Sequence, residues 1–287
     1  MSYRLLAISL IASCFADCTF GQFESPSYPP GGNVYVADVT RRLLRRSPHW
    51  PEGAQYPPVS AREALSLAEI ELREMVPASR HWKPTSLELS LLPQEETRWI
   101  WQVAYYWDNT PSVGTFLPEY DFLVYVLMDG NVVEPKLSDT RQPWPIPKLR
   151  EKTETSEAAF RNIVIPSSPP NAKPFDTIIT KQMVAKSPSW RDADCQPPIS
   201  PRRALSEANE LIDSLVEPQV GLKRQMSAIT LVALHGKKWY WRVEYDWYPT
   251  HGGSTGVLPH CYSVILMDGT VVEPQFRKDA EHGSNKK

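Results

Sequence analysis

The stretches WIWQVAYYW, at residues 99–107, and WYWRVEYDW, at residues 239–247, carry bulky apolar side chains at every second position, and in the second stretch the residues between them are mostly polar. A period of two is typical of a β-strand with one buried face. In the second stretch the apolar series comprises Trp239, Trp241, Val243, Tyr245 and Trp247. Burying each Trp or Tyr removes about 150–250 Å² from water, so we expect these rings to dominate the core. The fold is therefore predicted to centre on a tryptophan-rich sheet.

The same 140-residue offset relates further blocks of the chain. It aligns SAREALSLAEIELREMV, residues 60–76, with SPRRALSEANELIDSLV, residues 200–216. After a slip of one residue, LMDGNVVEP at 127–135 aligns with LMDGTVVEP at 266–274. Register kept over separate blocks indicates a unit present in two copies.

Each copy is predicted to contain one amphipathic helix. Ser60 and Ser200 are good N-cap residues, and Pro201 fits the first helical position, where its missing N–H costs nothing. The apolar residues that follow are spaced by three and four, so they form one stripe along the helix. Pro77 and Pro218 prevent either helix from continuing far.

Short strands are predicted around these elements, at residues 86–92, 122–128 and 132–133, and at 228–234, 262–267 and 271–272. Asp129-Gly130 and Asp268-Gly269 fit two-residue hairpin turns with positive φ at both central positions. The segments before each helix, VYVADVTRRLL and FDTIITKQMVA, fit either an edge strand or a short helix. The predicted class is α+β: two tandem repeats, each with one helix packed on an antiparallel sheet of about four strands.

At 287 residues the chain is long enough for two domains of ordinary size. The predicted divisions are a signal peptide at 1–21, a disordered stretch at 22–33, repeat 1 at 34–137, a Pro-rich linker at 138–174, repeat 2 at 175–277 and a disordered tail at 278–287.

Export is predicted from the first residues, where Arg4 precedes a short apolar run. An alternative is a lipobox at residues 11–14, which would make Cys14 a lipid anchor. Both interpretations predict a periplasmic or secreted protein. No later apolar segment has the length of a transmembrane helix, and a net charge of -2 argues against a nucleic-acid partner.

Cys195 and Cys261 are the two cysteines outside the predicted signal peptide. Their counterparts in the first copy are Gln55 and Phe122, so both cysteines are absent there together. We therefore predict a disulfide between Cys195 and Cys261, with two buried free thiols as the alternative.

A helix opening with ISPRRALSEANEL, followed by strands and a closing MDGTVVEP hairpin, resembles PepSY domains and, more broadly, cystatin-like folds. The Ser-initiated helix with Ala64, Leu65 and Ala68 carries the same resemblance in the first copy. PepSY-like domains are found in exported or envelope proteins of bacteria, where a role in binding and restraining peptidases has been proposed. The resemblance implies a binding module without catalytic residues or cofactors.

We expect a non-enzymatic exported module that binds a protein or peptide in the envelope. A carbohydrate-binding module using exposed aromatic residues is the alternative, and a hydrolase is a third. His251, His260 and Cys261 lie close in sequence, but their spacing fits no standard zinc pattern, so no metal site is predicted. The loops 108–120 and 248–260 contribute to the expected recognition surface, with Tyr106, Tyr240, Tyr248, His251 and His260 as its candidate residues.

Overall fold

The computed structural model describes residues 23–27, 34–76, 82–91, 98–107, 121–138, 162–234, 237–250 and 259–277. The elements up to residue 137 are β1 (Phe23–Ser27), β2 (Tyr35–Val39), α1 (Arg41–Arg46), α2 (Ala61–Met75), β3 (Trp82–Leu91), β4 (Trp99–Trp107), β5 (Asp121–Leu127), β6 (Val132–Val133) and β7 (Lys136–Leu137). The remaining elements are β8 (Ile163–Ser167), β9 (Phe175–Ile179), α3 (Lys181–Lys186), α4 (Pro201–Leu215), β10 (Leu222–Ala233), β11 (Trp239–Pro249), β12 (His260–Leu266) and β13 (Pro274–Phe276). The predicted signal peptide, Cys14 and the tail at 278–287 lie outside the described residues.

The fold is α+β and dominated by antiparallel sheets. Its largest sheet has seven strands in the order β12-β11-β10-β3-β4-β5-β6. The sequence predicted a separate sheet for each copy, but β3 and β10 pair directly, from Ser86↔Val232 to Ser90↔Ala228. Without this pairing both strands would be sheet edges with unpaired backbone groups, and their union satisfies those groups.

The β3–β10 seam is symmetric in register. Leu89 and Ile229 are 140 positions apart and lie opposite each other. The neighbouring pairs are Ser90↔Ala228 and Glu88↔Thr230. Ser90 matches Thr230, and Glu88 matches Ala228, at the 140-residue offset, so the offset converts each of these pairs into the other. The two halves of the sheet are therefore related by a local twofold axis through this pair.

Helices α2 and α4 cover one face of this sheet, the inner face, as the sequence predicted. The hydroxyls of Ser60 and Ser200 cap them by accepting the N–H groups of Glu63 and Arg203. The residues that α2 and α4 bury are mainly small, namely Ala61, Ala64, Ala68 and Leu72, and Pro201, Ala204, Ala208 and Ile212. Small side chains let the helix backbones lie close to the large rings of the sheet. No helix in the described parts of the chain is long and apolar enough to cross a membrane.

One buried indole fixes each of the two long helices to the sheet. Trp101 donates its Nε1–H to the carbonyl of Val59 at 2.9 Å, just before α2 begins. Trp241 makes the matching bond to Ile199 at 2.8 Å before α4. A buried indole N–H needs an acceptor, so each bond sets both the ring orientation and the start of its helix.

The Asp-Gly hairpins differ from the predicted two-residue type. Leu127 donates to the carbonyl of Asn131 at 2.8 Å, and Gly130 donates to Leu127 at 3.0 Å, which leaves a three-residue loop. Only the glycine has positive φ, at 84° for Gly130 and 90° for Gly269 in the second hairpin. The aspartate instead accepts the N–H of Asn131 through its side chain at 3.0 Å. A type I turn followed by a left-handed glycine explains this geometry.

Two small sheets, β1-β2-β7 and β13-β9-β8, flank the large one. Strand β1 lies within residues 22–33, which were predicted to be disordered, and β8 lies within the predicted linker at 138–174. The pre-helix segments, left open between strand and helix, form both, as β2-α1 and β9-α3. The serine that ends β1, Ser27, accepts the N–H of Leu123 at 2.9 Å, and Ser167 accepts that of Tyr262 at 3.0 Å.

Two arginines join the halves reciprocally. The guanidinium of Arg62 lies 4.0 Å from the ring centroid of Trp190, and that of Arg202 lies 4.1 Å from that of Trp50. Arg62 donates to the carbonyls of Arg191 and Asp194 at 2.9 and 3.4 Å. Arg202 donates to the carbonyls of Pro51 and Ala54 at 3.2 and 3.4 Å. We call these two matched contacts the arginine clasp.

Replacing Arg62 or Arg202 by Ala is expected to lower the free energy of unfolding by about 1–3 kcal/mol, because each loses a cation–π contact and two charged hydrogen bonds. Urea unfolding measures this. Arg73→Ala is the control, since Arg73 pairs with Glu69 on the exposed side of α2, where such pairs contribute about 0–1 kcal/mol. A change for Arg62→Ala no larger than for the control would contradict a stabilising clasp.

Candidate functional site

The face of the large sheet opposite α2 and α4, the outer face, is covered at its two ends. One cluster there joins β2 and α1 to β4, β5 and β6 through Val39, Leu44, Ile100 and Tyr125. A second joins β8, β9 and α3 to β11 and β12 through Ile165, Ile179, Tyr240 and Leu266. The outer-face positions between the two clusters carry mostly polar side chains.

Six of these side chains form what we call the polar patch: Glu88, Thr230, Arg242, Glu244, Asp246 and Tyr262. The strand registers place them together, because Glu88 pairs with Thr230, Thr230 with Arg242, and Glu244 with Tyr262. The Tyr262 hydroxyl donates to Glu244 Oε1 at 3.3 Å. The patch therefore spans the seam, with Glu88 from β3 and the other five residues from β10, β11 and β12.

Glu88 is held by two hydroxyls. Ser90 donates to its Oε1 at 2.6 Å, and Thr230 donates to its Oε2 at 3.5 Å across the seam. Thr230 is 1% exposed, so its hydroxyl has little access to solvent. These bonds fix the carboxylate in place as an acceptor at the centre of the outer face.

Glu244 is the electrostatic centre of the patch. Burial raises the pKa of its carboxyl above the ordinary value, and the nearby Asp246 and Glu88 carboxylates raise it further. Arg242 and the Tyr262 hydroxyl act in the opposite direction on the same pKa. Burial, followed by the charge of Glu244, also raises the pKa of Tyr262 to about 12. Burial and the neighbouring carboxylates thus both disfavour the negative charge of Glu244.

Arg242 does not neutralise these carboxylates through an ion pair among the described contacts. Its guanidinium lies 5.4 Å from the ring centroid of Tyr262. Its Nε is buried and lacks a hydrogen-bond partner among the described residues. The patch therefore retains an unused donor beside its carboxylates.

The charged residues of the patch have uncharged counterparts at the matched positions of an otherwise similar framework. At the positions equivalent to Arg242, Glu244 and Tyr262, strands β4 and β5 carry Gln102, Ala104 and Leu123. Glu88 itself corresponds to Ala228. The inner-face residues of β4 and β11 are identical at the same offset, as Trp101 and Trp241 are. The difference in charge between the matched outer-face positions of the two halves is the signal that could have located the patch from sequence.

The predicted recognition residues fall into separate places. Tyr240 is 3% exposed, so its placement on a recognition surface was wrong: β8, β9 and α3 cover it. Tyr248 is 38% exposed at the end of β11. His260 pairs with Asp246 and packs edge-on against Tyr262, 5.5 Å between ring centroids. Tyr106 is half-buried on β4, and His251 lies outside the described residues. Tyr248 and His260 therefore border the polar patch.

The predicted disulfide between Cys195 and Cys261 is not formed. Cys195 is exposed in the loop before α4, where its carbonyl accepts the N–H of Arg62 at 3.4 Å. Cys261 is fully buried on the inner face of β12, opposite Tyr245, and burial raises its pKa to about 12. The alternative of two buried thiols fits Cys261 but not Cys195. Across the described ranges, no three His, Cys, Asp or Glu residues are grouped in a way that could hold a metal ion.

Replacing Glu244 by Gln is expected to stabilise the protein at pH 7, since the folded state disfavours the charged carboxylate. A carboxyl whose pKa is higher in the folded than in the unfolded state contributes most to the free energy of unfolding below its unfolded pKa, about 4.3. That contribution is lost as the pH rises through the pKa of the folded state. The difference between Glu244→Gln and the parent should therefore shrink as the pH is lowered towards about 4.3. Urea unfolding across a pH series measures it, and a variant that is less stable at pH 7 would contradict the expectation.

Comparison with protein-family models, with curated proteins and with solved structures found no match. The resemblance to PepSY domains consequently stays a prediction from the residues that carry it.

Proposed function

We propose that this protein is an exported, non-enzymatic binding module that takes a protein or peptide partner in the cell envelope through the polar patch. The observation that carries the proposal is the position of the patch. Half-buried charged groups of β3 and β11 occupy the centre of the outer face, while the positions matched to them at the 140-residue offset are neutral. Perturbed charged groups that the fold does not need are a frequent mark of functional sites.

The proposal includes an origin by duplication of a PepSY-like unit. Contacts repeated at the 140-residue offset support it, among them the Trp101 and Trp241 bonds and the two halves of the arginine clasp. The twofold register of the seam supports it as well. In this proposal, one copy preserves the framework and the second has acquired most of the binding residues.

A role in binding, without catalysis, is supported by how the patch is fixed. The carboxylate of Glu88 accepts bonds from two hydroxyls of its own sheet, which suits a stationary acceptor better than a proton carrier. Fixed acceptors and donors on a rigid sheet reduce the ordering cost of binding. The sequence-based expectation of a location outside the cytoplasm, with a signal peptide or a lipid anchor at Cys14, is part of the same proposal.

A carbohydrate ligand is the second candidate. Tyr248 offers an exposed ring next to Asp246, and an aromatic ring beside a carboxylate suits a sugar. The tryptophans that first suggested sugar binding do not support it, because Trp101 and Trp241 are fully buried on the inner face. Glycan binding would therefore depend on Tyr248.

The test is capture of partners from native envelope extracts by tagged full-length protein. The patch variant combines Arg242→Gln, Glu244→Ala and Tyr262→Leu, each taking the residue found at the equivalent position of the other half, so the fold should tolerate them. The control, Glu69→Ala, removes an exposed carboxylate from α2. We expect a specific partner to be lost with the patch variant and kept with the control.

Equal capture by the parent and the patch variant would overturn the proposal. Binding on a glycan array that is lost in Tyr248→Ala would favour the carbohydrate-binding hypothesis instead. Turnover of generic ester or peptide substrates by the parent protein would contradict the proposal, because it would show that the protein is an enzyme.

A further inference from the structure

We propose that the group recognised at the polar patch is a basic side chain, lysine or arginine, in a peptide segment that lies over β10 and β11. This inference rests on the proposed function and names the chemistry of its partner. It follows from the negative charge of the patch, its position on the outer face and the acceptor oxygens of its carboxylates.

The charge balance of the patch favours a cation. Three carboxylates, Glu88, Glu244 and Asp246, stand against the single guanidinium of Arg242, which leaves a formal excess of two negative charges (3 − 1 = 2). Each carboxylate sits on the outer face of the sheet and is only half exposed or less. A cation placed among them would relieve like-charge repulsion in a site where water screens it weakly.

The hydrogen bonds already present in the patch leave carboxylate oxygens that a cation could still bind. The Tyr262 hydroxyl binds one carboxylate oxygen of Glu244, Oε1. Arg242 lies over the Tyr262 ring and makes no described ion pair with Glu244 or Glu88. Asp246 is hydrogen-bonded to the side chain of Tyr248. Each carboxylate can accept more than one hydrogen bond, so an ammonium or guanidinium group could donate to the remaining acceptor positions of Glu244 and Asp246.

The fold itself does not account for these charges. Ala228 and Ala104 occupy the positions equivalent to Glu88 and Glu244, and both are compatible with the same sheet. A half-buried carboxylate near two others is disfavoured in its charged form, and for Glu244 the Tyr262 hydroxyl and Arg242 offset only part of this effect on its pKa. The asymmetry between the copies therefore assigns the charges to a ligand.

The surroundings fit a side chain carried by an extended peptide. Tyr248 and the half-buried His260 border the patch, and rings at its rim can pack against the methylene stem of a lysine or stack on an arginine. The covered ends of the outer face confine a ligand to the strip over β3, β10 and β11 between the two flanking sheets.

The probe is a blocked Gly-Gly-Lys-Gly-Gly peptide, with matched versions carrying arginine, Nε-acetyl-lysine or glutamate. Binding to isotope-labelled full-length protein is followed by amide chemical shifts at low salt. We expect the lysine and arginine peptides to shift amides of β10, β11 and β12. The acetylated peptide should bind weaker by about tenfold or more, since it lacks the charge.

Glu244→Ala and Glu88→Ala should each weaken the lysine peptide by about tenfold, and added salt should weaken it further. The control Glu69→Ala should leave its affinity unchanged. Equal binding of the lysine and acetyl-lysine peptides, binding that persists in both alanine variants, or no shift with either basic peptide would overturn the inference.

Failure of this inference can be told apart from failure of the proposed function. If envelope capture requires the patch but is not competed by the lysine or arginine peptide, the module binds there and its ligand is not basic. If glutamate peptide or glycan binds instead, the ligand class is wrong while the site stands. If capture is independent of the patch, the proposed function falls first.

Discussion

The arginine clasp is the contact on which the arrangement of the two halves depends. Each arginine lies in the first turn of its helix, where the helix dipole disfavours a cation. The cost is offset because Arg62 and Arg202 reach across to the opposite half, stack on a tryptophan and bind two backbone carbonyls each. The indoles they cover, Trp190 and Trp50, pack edge-on against Trp239 and Trp99 at 5.5 and 5.2 Å. The clasp thus connects the helix of one half to the aromatic core of the other.

The seam between β3 and β10 follows from the same geometry. Trp101 and Trp241 fix where the two long helices start, and β3 and β10, the strands that follow those helices, would each have an unpaired edge on their own. Antiparallel pairing about Leu89 and Ile229 removes both edges at once. The resulting sheet has seven strands, and its outer face is continuous across the two halves. That continuity lets Glu88 of one half share a hydrogen bond with Thr230 of the other.

Local signals in the sequence were sufficient for the two long helices and the main strands that follow them. Ser60 and Ser200 marked the helix starts within a residue, and the alternation in WYWRVEYDW identified the buried face, because these depend on neighbouring residues only. The hairpin type was wrong because Asp-Gly fits both two- and three-residue loops. The burial of Tyr240 was missed because β8 was assigned to a linker, although PSYPP at 26–30 recurs as PSSPP at 166–170. Edge pairing and the disulfide could not be decided, since both depend on distant parts of the chain.

Amide hydrogen exchange across the seam tests most directly whether the two halves form one body. The amides of residues 86–90 and 228–232 that bond across the seam should exchange as slowly as those in the middle of β4 and β11, through global unfolding. Fast exchange at 86–90 and 228–232, with β4 and β11 still protected, would mean that β3 and β10 are free edges and that the shared sheet does not exist.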